Sequence, residues 1–268
     1  MSASPAPKPA GLSVFFPAYN DSGTIASMVI RTVKHAAELT PDFEVIVVDD
    51  GSADSTAEIA DELAHTYPQA RAIHHPINRD YGAALQTGFR SATKELIFYT
   101  DGDAQYDPAE LAQLWAKMSP ETDLVNGYKI SRSDPWHRIV IGRFYHHVVS
   151  TLFGLKLRDV DCDFRLMRRT IFDRINLEKT SGIICVEMMK KIQDGGFRIA
   201  EVPVHHFHRA FGRSQFFNVR RLFRTGRDLL RLWYALVIRR EHLRAPVTPL
   251  AQRAADPTNR VYPSPPRP

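Results

Sequence analysis

The chain of 268 residues is 44% hydrophobic and 24% charged, enough to bury one sizeable core, which excludes a collagen-like or wholly disordered polypeptide. Two cysteines, Cys162 and Cys185, with no C-x-x-C spacing, exclude a disulfide framework and a thiolate zinc site and fit a reducing compartment. The net charge of +5 divides unevenly: residues 1–130 hold 9 basic and 18 acidic positions and the remainder holds 26 and 12, so the second half invites an anionic partner such as nucleic acid, a phosphorylated substrate or anionic lipid.

The opening MSASPAPKPAG has no apolar stretch for a signal peptide, and no apolar run approaches the roughly 18 residues of a spanning helix, so the expectation is a cytosolic chain with residues 1–11 disordered. Residues 12–17 (LSVFFP) and 43–48 (FEVIVV) read as buried parallel strands. Between them Asp21 or Ser22 can cap a helix that runs to about residue 39. Residues 55–67 read as a helix, 71–75 as a strand, 82–92 as a helix and 96–100 (LIFYT) as a strand. This alternation predicts an α/β fold, a doubly wound and mostly parallel sheet flanked by helices, whose ligands bind at the carboxyl ends of the strands. Those ends carry PAYND, DDGS and DGDAQ.

After DLVNG at 123–127 the pattern loosens into a basic segment to Trp136, a helix to about residue 154, the stretch RDVDCDFRLMRR, a helix over 183–193 and a returning strand over 197–204. Residues 216–244 predict a basic amphipathic helix. Phe216, Val219, Leu222, Phe223, Leu230, Trp233 and Val237 form one stripe, and Arg220, Arg224, Arg227 and Arg231 form another. Residues 245–268 hold seven prolines and predict a disordered tail.

Asp101 and Asp103 directly follow an apolar strand. Carboxylates at i and i+2 can converge on Mg²⁺ or Mn²⁺ that also takes substrate phosphate oxygens, with Gln105 as a further neutral oxygen. A solvated acidic turn matches D-x-D equally well. Asp49 and Asp50 end the second strand, where a carboxylate accepts from a ribose or a base; capping of the next helix is the competing explanation. Neither G-x-G-x-x-G nor G-x-x-x-x-G-K-[ST] occurs, which removes the main support for a Rossmann dehydrogenase or a P-loop enzyme. The histidines of VPVHHFHR suit an exposed strand edge better than zinc, and Cys185 in IICV reads as core.

FFPAYND, VVDDGSADST, NRDYGAAL, TDGDAQYDP and DCDFRLMRR, in that order over residues 12–215, resemble glycosyltransferase family 2 with its GT-A fold. The D-G-D-A-Q segment, D-F-R-L and HHFHRAFGRS are most similar to polyprenyl-phosphate sugar transferases, the group with dolichyl-phosphate mannose synthase and bacterial undecaprenyl-phosphate enzymes. The resemblance implies an inverting transfer of sugar from a nucleotide diphosphate to a polyprenyl phosphate by a protein attached to the inner membrane face. It assigns Pro17, Tyr19, Asp21, Asp49, Asp50, Asp101 and Arg209 to the nucleotide sugar. Asp101, Asp103 and Gln105 are implied for Mg²⁺ or Mn²⁺, and Asp103 and Asp163 for catalysis. Arg138, Arg143, Arg158, Cys162 and Ser214 are implied for the acceptor phosphate. Asp precedes F-R-L here, as in the undecaprenyl-phosphate enzymes, and Gln215 stands where Lys often follows the closing Ser. The implied partners are donor, acceptor and an anionic membrane surface or membrane-embedded subunit, with no nucleic acid. Two other readings remain at this level: a family 2 enzyme with a soluble or polysaccharide acceptor, and a basic nucleic-acid-binding module.

Overall fold

The computed structural model describes residues 10–132, 136–209, 211, 219–254 and 262–263. In chain order the strands are β1 (Leu12–Ala18), β2 (Phe43–Asp49), β3 (Ala70–His74), β4 (Leu96–Thr100), β5 (Leu124–Arg132), β6 (Phe164–Arg168), β7 (Ile199–His206) and β8 (Tyr262–Pro263). The helices are α1 (Ile25–Leu39), α2 (Thr56–Thr66), α3 (Tyr81–Ser91), α4 (Leu111–Lys117), α5 (Trp136–Phe153), α6 (Ile184–Asp194), α7 (Val219–Trp233) and α8 (Leu250–Ala254). They flank one sheet of order β7-β5-β6-β4-β1-β2-β3-β8. Strands β1, β2, β3 and β4 are mutually parallel, as is the β5/β7 pair. The expected doubly wound, mostly parallel sheet flanked by helices is therefore present.

Every residue of β1 is buried. Side chains alternate across the sheet, so Phe15 joins Ile46, Val48, Tyr99 and Phe89 on one face, while Val14 and Phe16 join Val45, Val47, Ile25 and Val29 on the other. Burying each such aromatic or branched side chain stabilises the fold by about 1.5–3 kcal/mol. Helix α3 comes close to the sheet because Gly88 has no Cβ; one added there would run into the Phe15 ring.

The departures from the sequence expectation are informative. Strand β6, unassigned from sequence, inserts antiparallel between β4 and β5, with Phe164 opposite Thr100 and Met167 opposite Leu124. Strand β5 continues through the basic segment to Arg132, with an irregularity between Lys129 and Ser131. Helix α1 starts at Ile25 after Thr24, not at an Asp21 or Ser22 side-chain cap. The Asp21 carbonyl accepts from the Thr24 and Ile25 amides instead, which releases the carboxylate for another use. Within the Pro-rich stretch, Leu250 is buried and Arg253 donates to the Ile175 carbonyl at 3.1 Å, so this part of the segment expected to be disordered carries ordered contacts.

Helix α7 passes into a single π-turn at Tyr234–Ile238. Its inward stripe is Leu229, Leu232 and Leu236, one position away from the Leu230 read from the sequence, and Trp233 and Val237 pack at its edge. Leu230, Tyr234 and Ile238 face outward at 62%, 53% and 55% exposure. Among the described residues no helix is long and apolar enough to cross a membrane.

Candidate active site

Four loops meet at the carboxyl edge of the parallel strands. The D-D-G turn after β2 needs Gly51: its φ is +68°, and an added Cβ would lie 2.6 Å from the Asn78 backbone nitrogen. After β4, Ala104 holds a left-handed φ of +59°, so the D-G-D-A-Q loop turns sharply and keeps Asp103 buried beside Asp101. The antiparallel register between Thr100 and Phe164 then sets the next residue of β4's loop, Asp101, beside the residue preceding β6, Asp163. This pairing brings a distant carboxylate to the D-x-D pair, and local periodicity could not reveal it.

The carboxylates press on one another. Burial, with Asp163 and Asp103 nearby, raises the Asp101 carboxyl well above the ordinary range, although Tyr81 donates to its Oδ1 at 2.8 Å. Burial also raises Asp103, against the pull of the Arg209 guanidinium. Asp21 is raised to about 6 by burial, opposed by the Tyr19 amide that donates to it. Arg209 lies directly on Asp103 Oδ2, a protein cation where the resemblance expects a metal ion. Among the described residues no three His, Cys, Asp or Glu side chains form a ready-made metal cage. Asp101 and Asp103 therefore suit a hard divalent ion that brings diphosphate oxygens as its remaining ligands. The Gln105 side chain instead donates to the Phe207 carbonyl at 3.2 Å, while Phe207 N donates to Gln105 O at 2.8 Å, tying the D-x-D loop to the segment that carries Arg209.

Asp163 is held from below. Its Oδ1 accepts from Tyr99 Oη at 3.1 Å, Arg165 Nη1 at 3.0 Å and Cys185 Sγ at 3.2 Å. Arg165 is fully buried and is fixed by Asn126 Oδ1 at 2.8 Å, the Val160 carbonyl at 2.5 Å and the Tyr99 hydroxyl. A buried guanidinium persists only when its donors are satisfied, and this one spends them on the site floor. Sequence reasoning gave no role to Tyr99, Arg165, Asn126 or Tyr81, and read Cys185 as core alone. The Arg165 signal lay within the quoted D-F-R-L; its inward direction did not.

Pro17 pairs with Val48 at the end of β1, followed by the exposed Tyr19. Asp49 is depressed: burial opposes this, but hydrogen bonds from His74 and Ser52 prevail. Asp50 is buried against His75. The acceptor residues are less gathered. Arg158 is exposed, with its guanidinium 4.8 Å from the centre of the Tyr128 ring. Cys162 is fully buried in the core against Gly127, its thiol pushed up to about 12 by burial, so it offers no exposed atom to an acceptor phosphate. Arg138 and Arg143 belong to α5, but their side chains, like Ser214 and Gln215, lie outside the described residues.

Asp161 supplies a pH test. Burial raises its carboxyl to about 6, with Lys129 opposing and Asp159 and Asp163 adding. The native state thus keeps a proton that the unfolded chain has already released, and this group makes stability fall as pH rises from about 4 to about 6, then stay level. Asp161→Asn is expected to melt higher than the wild type at pH 7.5, with the gap narrowing as the pH falls towards 4. Thermal unfolding across that range checks it, and a gap independent of pH contradicts the assignment.

Residues 13–175 match the family described as Glycosyl transferase family 2. The chain belongs to that family. It is 30% identical over 229 residues to undecaprenyl-phosphate 4-deoxy-4-formamido-L-arabinose transferase of Enterobacter sp. (strain 638), covering 84% of this chain and 66% of that relative's length. Among solved structures, glucosyl-3-phosphoglycerate synthase from Mycobacterium tuberculosis with Mn²⁺, uridine diphosphate and phosphoglyceric acid superposes with a TM-score of 0.65. That comparison covers 84% of this chain and 78% of the other at 17% identity. The same enzyme with Mn²⁺ and uridine-diphosphate-glucose gives 0.63 at 17% identity, covering 84% and 79%. At such identities these neighbours establish the fold.

Proposed function

We propose that this family 2 glycosyltransferase moves a sugar from a nucleotide diphosphate to a polyprenyl phosphate at the cytoplasmic face of the membrane, with inversion and with Mg²⁺ or Mn²⁺. The observation that carries the chemistry is the opposition of the Asp101–Asp103 pair to Asp163, whose Oδ1 is held by three donors. The undecaprenyl-phosphate relative supports the acceptor class.

During transfer the bond from the anomeric carbon to the diphosphate oxygen breaks as a phosphate oxygen of the acceptor bonds to the opposite face. Positive charge grows on the sugar and negative charge on the leaving diphosphate. Asp101 and Asp103 would hold a divalent ion, which would neutralise part of that leaving charge. Arg209, released from Asp103, adds a guanidinium to the same oxygens. A phosphate monoester has a second pKa of roughly 6, so the nucleophile is largely ionised near neutral pH and needs no strong base. Asp163 therefore orients the reacting groups in this reading, with Arg165, Tyr99 and Cys185 fixing its Oδ1. Arg143 and Arg158 hold the acceptor phosphate in this reading, and Asp49, Asp50, Pro17 and Tyr19 the nucleoside.

The test is a product assay on purified protein with UDP- and GDP-hexoses, UDP-pentoses and a short polyprenyl phosphate, beside 3-phosphoglycerate as a soluble acceptor. Metal-dependent glycosyl transfer to the lipid phosphate supports the reading. Transfer to the soluble acid alone replaces its acceptor, and full activity in excess chelator removes the metal.

A further inference from the structure

Strands β2 and β3 end in tandem pairs, Asp49-Asp50 and His74-His75, and their parallel register sets Asp49 opposite His74. Alternation sends the pairs to opposite faces of the sheet. On one side His74 bridges Asp49 and Asp61, at 3.1 Å to each. On the other, the buried His75 places Nδ1 2.5 Å from Asp50 Oδ1 and Nε2 2.9 Å from Thr87 Oγ1. Arg90 Nη2 donates to the same Thr87 oxygen at 3.3 Å. A carboxylate only accepts, so Nδ1 carries the proton that faces Asp50, while the Thr87 hydroxyl holds Nε2 from the other side.

Asp50 Oδ1 is thereby filled twice, by the imidazole and by the Arg79 amide at 2.9 Å. No described residue donates a hydrogen bond to Oδ2. A buried carboxylate with one oxygen clamped and one open at a strand end is an oriented acceptor for a hydroxyl or a ring N–H. Without the clamp it can turn about its Cβ–Cγ bond and lose that direction.

We infer that His75 is a positioning residue for donor recognition, the middle of an Arg90–Thr87–His75–Asp50 chain that fixes Asp50 toward the nucleoside part of the donor. This rests on the reading of Asp50 as a nucleoside contact. It adds a residue that acts through Asp50 and not by touching the nucleotide itself. The consequence is selective: the chain sharpens binding of a nucleoside diphosphate and leaves binding of its phosphates alone untouched.

The experiment compares His75→Asn, whose side-chain amide nitrogen replaces Nδ1, with His75→Gln, whose amide replaces Nε2 and leaves Asp50 held by the Arg79 amide alone. Calorimetry with Mn²⁺ measures UDP, GDP and inorganic pyrophosphate separately, and steady-state kinetics measures KM for the donor found in the product assay. The expected result is a tenfold or greater loss of nucleotide affinity in His75→Gln, about 1.4 kcal/mol, near-native affinity in His75→Asn, and unchanged pyrophosphate binding in both. Donor KM rises in His75→Gln while kcat at saturation is kept. Equal nucleotide affinity in the two variants overturns the inference, as does a parallel loss of pyrophosphate. If the wild-type protein binds pyrophosphate but neither nucleotide, the nucleoside assignment of Asp50 fails first and takes this inference with it. Thr87→Val, which keeps the side-chain volume, gives an intermediate and nucleotide-confined loss; it carries the test if His75→Gln melts far below the wild type.

Discussion

Asp103→Asn is expected to lower turnover by about three orders of magnitude while the protein melts no lower than the wild type. An amide keeps the shape of the side chain and still accepts from the Gln105 amide, now at 3.0 Å from Asp103 Oδ1. It removes the charge that pairs with Arg209 and, in the proposed mechanism, with the divalent ion on the leaving diphosphate. Loss of one preorganised electrostatic contact to developing charge costs about 10²–10³ in rate, and loss of a metal ligand belongs at the upper end. Stability moves the other way. Burial raises the carboxyls of Asp101 and Asp103, so the fold disfavours the charged form of each, a cost that the amide does not incur. A variant that is inactive, weak in Mn²⁺ binding by electron paramagnetic resonance and equal or higher in melting temperature fits all three statements. Retention of activity to within tenfold would move the metal and the chemistry away from this pair.

That opposition of stability and activity also explains which parts of the site were legible in the sequence. Strands β1, β2 and β4 are short apolar runs stopped by Pro, Asp and Gly, and their ends name the Asp21, Asp50 and Asp101–Asp103 positions directly. Asp163 was reachable through D-F-R-L, but its neighbours were not. Tyr99 and Arg165 look like an ordinary strand tyrosine and a surface arginine until the antiparallel β4/β6 pairing, between residues more than sixty apart, turns both into the floor of the site. His75 was hidden for a similar reason. It follows a strand that carries few of the usual strand signals, and its significance comes from the register of β2 against β3. Cys162 shows the reverse error: a residue given to the acceptor by alignment of motifs lies in the core because β6 begins two positions later and directs alternate side chains inward. For α7, periodicity found a helix and its basic character, but an amphipathic pattern with apolar residues on both sides cannot say which stripe faces the core.

The outer stripe of α7 leads to the second large effect, which concerns where the enzyme works. Leu230, Tyr234 and Ile238 recur every four residues and are more than half exposed, so they lie in one row on the surface. Exposed Arg224, Arg227, Arg231, Arg239 and Arg240 flank that row. Asp228 takes up part of this charge, through Arg227 at 3.1 Å, and Glu241 takes up part through Arg239 at 3.2 Å. The remaining excess is basic. In the proposed reaction the acceptor's polyprenyl tail stays in the bilayer, so the phosphate pocket must be brought to the headgroups. A row of apolar side chains between guanidinium groups fits that interface. Each basic residue near an anionic leaflet contributes on the order of 1 kcal/mol, screened over a Debye length of about 8 Å at physiological salt. Reversing Arg224, Arg227 and Arg231 to Glu removes three attractions and adds three repulsions, so the partition coefficient is expected to fall at least about a hundredfold. Flotation with phosphatidylglycerol-containing vesicles should recover the wild-type protein at low salt and less of it at high salt, and should leave the triple variant unbound. Leu230→Ser with Ile238→Ser should weaken binding with little change in its salt slope, because these residues contribute buried area instead of charge. Transfer to a water-soluble, short-chain polyprenyl phosphate should be nearly equal in all these proteins, which separates attachment from catalysis. Wild-type protein that stays unbound at low salt would assign the stripe to a protein partner and leave the lipid surface without a contact on this helix.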